Sequence, residues 1–168
     1  MAIATGAAEA APVVMLQGRV VHVDDGDTIV LLLANKEQIK VRLSSIDAPE
    51  TSHLGQGEGR VGQPFADVAK RHLAALAKGR EATATCFEKD QYARSICEIF
   101  VGGHSLNRTM VRDGMAWANG AAYGKYLRDP DLVQFQALAR AQRLGLWRDT
   151  EPVAPWMWRK NCWREKLC

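Results

Sequence analysis

The sequence predicts an α+β protein, a five-stranded closed β-barrel carrying about three helices. Three observations point there. Short apolar runs with strand alternation fall at 18–23, 29–33 and 38–46, and again in the two arms of 81–101. Helical spacing of apolar residues appears only at 64–78, at 106–112 and after Pro130. No repeat or linker divides the chain, and 168 residues suffice for one domain with a real core.

In order, Val20-Val21-His22-Val23 leads into Asp24-Asp25-Gly26-Asp27-Thr28, where Gly26 allows a tight turn. The second strand is Ile29 to Leu33, and Ala34 to Glu37 is a hairpin connection. The third strand, Gln38 to Ile46, ends at Asp47-Ala48-Pro49-Glu50, because Pro49 has no N–H to give a ladder. Residues 51–63 hold four glycines and read as a mobile loop. Phe65, Val68, Ala69, Leu73 and Leu76 form the stripe of the first helix, stopped by Gly79. Residues 81–101 read as a hairpin turning at 90–93. Ser105 caps a short helix, Leu106 to Arg112, closed by Gly114. Pro130 opens a third helix whose stripe is Leu132, Phe135, Leu138, Ala139 and Leu146. Helices placed after the third strand and beyond the fifth fit a small barrel of the oligonucleotide/oligosaccharide-binding type, the OB-fold.

Composition sets the outer limits. Hydrophobic content of 47% and charged content of 24% are ordinary for a globular protein. No run approaches the ~20 apolar residues of a membrane-spanning helix, and no membrane partner is expected. The net charge of +3 is unevenly placed: residues 1–104 sum to −2 and 105–168 to +5. A basic C-terminal part beside an acidic site could hold a polyanion, and a solvated basic face is the plain alternative. Residues 1–17 are small and apolar without a basic start. They read as a disordered extension or as the remnant of a trimmed leader, with Ala8-Glu9-Ala10 resembling a cleavage site. Residues 18–150 form the domain, and the Trp/basic tail 151–168 packs on it or extends from it.

Chemistry concentrates at 23–50. Asp25, Asp27, Asp47 and Glu50 sit where strands enter or leave turns. Strand alternation puts Ile39, Val41 and Leu43 on one face and Arg42 on the other. Carboxylates and a guanidinium on one framework suggest a hard cation beside a phosphate. Each residue alone has a plainer reading, as a turn aspartate or a surface ion pair. His22, His53, His72 and His104 show no ligand spacing and no C-x-x-C occurs, so zinc is disfavoured. In the 81–101 hairpin, Cys86 and Cys97 face each other within disulfide reach. Cys162–Cys168 is a second candidate pair, and free thiols are the alternative.

D-G-D-T at 25–28, R-L-x-x-I-D-A-P-E at 42–50 and D-x-Y-x-R at 90–94, with G-L-W at 145–147, occur in the order and spacing of one family. Over residues 18–150 the chain resembles the thermonuclease (staphylococcal nuclease-like) family. That resemblance implies an OB-fold barrel acting as a calcium-dependent endonuclease. It would cut phosphodiester bonds of DNA and RNA, with single-stranded regions preferred, and leave 3′-phosphate ends. By position, Asp27 and Asp47 would bind Ca2+ through carboxylates and Ala48 through its backbone carbonyl, with Asp25 behind them. Ala48 stands where the family often has threonine, a change a backbone ligand tolerates. Arg42 and Arg94 would clamp the scissile phosphate, and Glu50 would orient or deprotonate the attacking water. Tyr92, Tyr123, Lys125 and Tyr126 are the candidates for nucleotide contact. Gln91 and Ala93 replace the family's usual lysine and glycine. A monomer is expected, and the leader-like start with the candidate disulfides points to a secreted or periplasmic location, with a cytoplasmic one as alternative. A catalytically silent nucleic-acid-binding barrel is the competing function. The tail, W-M-W-R-K-N-C-W-R-E-K, could stack on single strands, although packing of Trp156 and Trp158 on the barrel is the simpler expectation.

Overall fold

Strands β1 (Val14–Val23), β2 (Thr28–Leu33) and β3 (Gln38–Leu43) form an antiparallel meander in the computed structural model, which describes residues 13–53, 55 and 59–168. Residues 1–12, including the Ala8-Glu9-Ala10 segment, lie outside the described residues, as do four positions of the 51–63 loop. After a short β4 (Ile46–Asp47) comes helix α1 (Ala66–Ala77). The hairpin β5 (Glu81–Lys89) and β6 (Ser95–Val101) follows, then a two-residue β7 (His104–Ser105). Helix α2 (Leu106–Arg112), β8 (Trp117–Ala118) and the single turn α3 (Ala121–Gly124) lead to α4 (Leu132–Ala141). A 3-10 turn at Gly145–Arg148, α5 (Pro155–Trp158) and a π-helical segment Arg159–Arg164 end the chain.

The barrel closes in two places. β1 pairs antiparallel with β5 from Val14↔Cys86 to Arg19↔Glu81. β6 returns alongside β3 in parallel, from Val41↔Ser95 to Leu43↔Cys97. With the β5–β6 pairing this makes the five-stranded OB-type barrel that the alternating runs predict. Alternate residues point inward: Val20, Ile29, Leu31, Val41, Leu43, Ala84, Cys97 and Ile99 are buried. Ala69, Leu73 and Ala77 of α1 and Met110 and Val111 of α2 join the same core.

Where β3 and β6 part, one side chain replaces the missing ladder. Asn107 of α2 donates to Ser44 O (2.9 Å) and Cys97 O (3.2 Å) and accepts from Ile99 N (3.0 Å). That satisfies buried backbone groups that water cannot reach.

Four expectations need correcting. Phe65 is the left-handed N-cap of α1 (φ 68) and Val68 is exposed, so neither belongs to the buried α1 stripe. Residues 14–17 are strand, because pairing with β5 satisfies their backbone, so the ordered domain starts before Gly18. The third strand stops at Leu43 rather than Ile46: Ser45 is left-handed (φ 65), and the corner sends Ile46 and Asp47 to pair with β8. α4 ends at Ala141. Leu138 is 52% exposed and Leu146 lies in the later 3-10 turn, so neither belongs to a buried α4 stripe.

The hairpin register places Cys86 opposite Cys97, and the two are disulfide-bonded, as are Cys162 and Cys168. Beyond Cys86 the register shifts by one at a bulge. Ala93 takes φ 60 in the turn, a conformation glycine adopts with less strain.

Candidate active site

Between β1 and β2 the chain turns through Asp24–Asp27, held by Asp27 N donating to Asp25 Oδ1 (3.0 Å). Gly26 is required here for space rather than for a left-handed φ. A Cβ on it would lie 2.7 Å from Ala48 Cβ and 2.9 Å from Ala69 Cβ, so this turn packs directly on the Asp47 corner and on α1. Asp27 Oδ1 accepts from Thr28 Oγ1 (3.1 Å), and its Oδ2 accepts from Ala48 N (2.8 Å). Those bonds lock the two acidic turns together.

Strand alternation sends Arg42 away from the Val41–Leu43 core and into a cleft of about 1180 Å³. Its Nη1 donates to Ile46 O (3.2 Å). Its Nη2 lies 2.8 Å from Asp47 Oδ1 and 3.4 Å from Asp27 Oδ2. One nitrogen thus marks the point on which both carboxylates converge. Asp47 is 1% exposed, and its second oxygen is taken from the other side by Arg159 Nη2 (2.7 Å). Arg159 Nη1 also reaches Asp47 Oδ1 (3.2 Å) and makes a short hydrogen bond to Glu50 Oε1.

Arg94 lines the same cleft from the β5–β6 turn. Asp90 accepts from Tyr92 N (2.9 Å), Arg94 N (3.0 Å) and Arg94 Nε (2.8 Å), which fixes both the turn and the guanidinium. Among the described residues no acceptor takes the Nη1 or Nη2 of Arg94. The two arginines therefore differ: Arg42 is spent on carboxylates and a carbonyl, while Arg94 presents open donors. Tyr92 lies under the Arg94 guanidinium (5.4 Å), and with Lys125 and Tyr126 it lines the cleft. Tyr123 does not line it; its side chain is fully exposed.

Burial shapes the acids. It pushes Asp25 up to about 7, reinforced by the charge of Asp27. Glu50 also rises to about 7 through burial, although Arg159 pulls it down. Burial raises Asp47 too, against the opposing pull of Arg42 and Arg159.

The donor set suits an oxygen-seeking cation, since two carboxylates come together and, among the described residues, no sulfur side chain lines the cleft. Among the described residues no three His, Cys, Asp or Glu side chains form a metal cluster by themselves. A metal here would draw on Asp27 and Asp47, the Ala48 backbone, and oxygens of water or substrate.

Sequence reasoning missed Arg159. The signal available was a run of aromatic and basic residues, W-M-W-R-K, but nothing local shows that this run folds back 109 residues to reach Glu50.

A closed five-stranded barrel with carboxylates and arginines gathered at one cleft defines the class, an OB-fold with a polar catalytic-type site. The sequence signature described as "Staphylococcal nuclease homologue" matches residues 40–149, and the chain belongs to that family. It is 40% identical over 145 residues to an "Uncharacterized endonuclease" of Escherichia coli, covering 86% of this chain and 85% of the relative. It is 37% identical over 143 residues to an "Uncharacterized endonuclease" of Haemophilus influenzae (85% and 72%). A "Micrococcal nuclease" of Shigella flexneri is 39% identical over 153 residues (86% and 80%).

Proposed function

We propose that this protein is a calcium-dependent endonuclease that hydrolyses phosphodiester bonds of DNA and RNA and leaves 3′-phosphate ends. The observation that carries the reading is the shared cleft: Asp27 and Asp47 are gathered around Arg42, Glu50 is joined to Asp47 through Arg159, and Arg94 lines the same space with its Nη donors untaken among the described residues. Membership of the nuclease family and relatives named as endonucleases or as a nuclease support it.

A bound Ca2+ would supply positive charge beside the phosphate and hold a water ligand. The chain's own residues do the rest. Asp27 and Asp47 would hold the cation, with the Ala48 carbonyl, and Asp25 supports Asp27 through the turn. Glu50, raised to about 7, accepts the proton of the attacking water near neutral pH. Arg94 donates to the phosphoryl oxygens, on which charge builds in the transition state. Its planar fork, kept in place by Asp90, bonds two oxygens at once. Arg42 keeps the two metal carboxylates together and adds charge at the same edge of the cleft.

The cleft is open, and Tyr92, Lys125 and Tyr126 on its rim offer aromatic and cationic surface to unpaired nucleotides, so single-stranded regions are the preferred substrate. Among the described residues no helix is long and apolar enough to cross a membrane. Two disulfides favour an oxidising location, secreted or periplasmic. We take the working unit to be a monomer, since one chain carries all the residues named.

The test is cleavage of a 5′-labelled single-stranded oligonucleotide in calcium and in chelator, with phosphatase treatment of the products. Cleavage in calcium alone, with products whose mobility shifts on phosphatase treatment, is expected. Cleavage that persists in chelator would sink the metal mechanism. Binding without cleavage in calcium would favour a silent nucleic-acid-binding barrel.

A further inference from the structure

The C-terminal segment is seated on the site by several independent contacts. Trp158 Nε1 (3.0 Å) and Trp163 Nε1 (2.8 Å) both donate to the carbonyl of Val61. Gln63, which accepts from Glu50 N (3.0 Å), donates through its Nε2 to Val153 O (2.9 Å). Trp156 packs edge-on against Trp117, the β8 residue paired with Asp47. Out of this anchored segment a single guanidinium enters the cleft. It saturates Asp47 Oδ2 and takes Glu50 Oε1, two oxygens that the proposed function needs for other work.

Asp47 already carries two cations, Arg42 and Arg159, so a metal ion there would be a third. Arg42 takes Oδ1 at 2.8 Å and Arg159 reaches both oxygens (3.2 and 2.7 Å), so a metal ion joining Asp27 and Asp47 must displace one of the two guanidiniums. Arg42 sits on a strand and is fixed by Ile46 O, whereas Arg159 comes from a segment outside the barrel, so Arg159 is the partner able to leave.

Resting on the metal reading above, we infer that Arg159 is an exchangeable counter-ion. The C-terminal segment closes on Asp47 and Glu50 when no metal is bound, and calcium binding displaces its guanidinium. The coupling is reciprocal by linkage: whatever Arg159 takes from calcium affinity, calcium takes from the hold of the segment on the barrel. A buried carboxylate stripped of one charged donor is more negative and has a vacant lone pair, so removing Arg159 strengthens calcium binding. A purely structural role predicts the reverse, since loosening the tail would blur the ligand positions.

The experiment is calorimetric titration of calcium into the intact protein and into the Arg159→Gln, Arg159→Lys and Asp27→Asn variants. Amide hydrogen exchange of residues 155–164 is followed with and without calcium. Arg159→Gln is expected to bind calcium about tenfold tighter or more, the scale of one charge-assisted hydrogen bond. Arg159→Lys should fall between it and the parent. Calcium should speed exchange across 155–164 in the parent, a readout that needs no variant to fold. Unchanged or weaker binding by Arg159→Gln, or exchange that calcium leaves unaltered, overturns the inference. A parent that binds no calcium, or an Asp27→Asn variant that binds equally well, overturns the metal reading itself and this inference with it.

Discussion

Replacing Arg94 by lysine separates charge from geometry at the phosphate. In the parent, Nε is held by Asp90 at 2.8 Å, and no acceptor among the described residues takes Nη1 or Nη2 of this cleft-lining side chain. Lysine keeps one positive charge but cannot satisfy Asp90 and a phosphate fork together. Two losses follow, on different scales. The Asp90 bond is partly exposed, with 23% and 20% of the two side chains accessible, so its removal costs stability only about 1 kcal/mol. The turn survives, since Asp90 still accepts from Tyr92 N and from the backbone of residue 94. At the reaction, loss of one preorganised donor to the developing charge costs about 2.7–4 kcal/mol, a factor of about 10²–10³ in kcat. Calcium affinity should stay within about twofold, because no metal ligand changes. The assay is single-turnover cleavage of one oligonucleotide in saturating calcium, with calcium titration and thermal melting of the same preparation. A variant that turns over at nearly the parental rate would refute the assignment of Arg94 to the transition state. A fall in rate matched by a collapse in stability would show instead that residue 94 mainly holds the hairpin.

Other expectations follow from the same geometry. Gly26→Ala should cost about 1–3 kcal/mol, since the new methyl meets two alanine methyls on separate elements; denaturant melts that match the parent would show that the turn can move aside. Replacing both Cys86 and Cys97 by alanine should destabilise by about 3 kcal/mol, the loop-closure value for a separation of 11, and non-reducing peptide mapping should recover the 86–97 link from the parent. In chelator, stability should fall as pH rises from about 4.5 to 7 on account of Asp25 and Glu50. Both carboxyls bind protons more tightly folded than unfolded, so their contribution is full below the unfolded values of 3.8 and 4.5 and gone above about 7. The advantage of Asp25→Asn over the parent should therefore grow between pH 5 and 8, and thermal melts showing a constant difference would contradict the raised value.

Alternation and turn chemistry were enough to read the barrel from the sequence, because strand period 2 and the positions of Asp, Gly and Pro are local properties of the chain. Ile39, Val41 and Leu43 against Lys40 and Arg42 already state which face is core. The hairpin arithmetic also pairs Cys86 with Cys97, although the turn, where Lys89 faces Ser95, would by itself offset them by one and a bulge beyond Cys86 restores the match. The acids Asp27, Asp47 and Glu50 with Arg42 and Arg94 were legible as candidates by motif order. Their convergence was not, because it depends on Gly26 packing on Ala48 and on Ala48 N reaching back to Asp27. Three things were decided only by tertiary structure. Residues 14–17 became strand because β5 was there to pair with them. The third strand broke at Ser44–Ser45 because Asn107, 63 residues away, satisfies that corner. Arg159 entered the site because tryptophans of the tail found a carbonyl on the loop after Glu50. Periodicity records which face of an element is buried, but not which distant element covers it. Contacts such as Arg159 with Asp47, 112 residues apart, therefore leave no local mark in the chain.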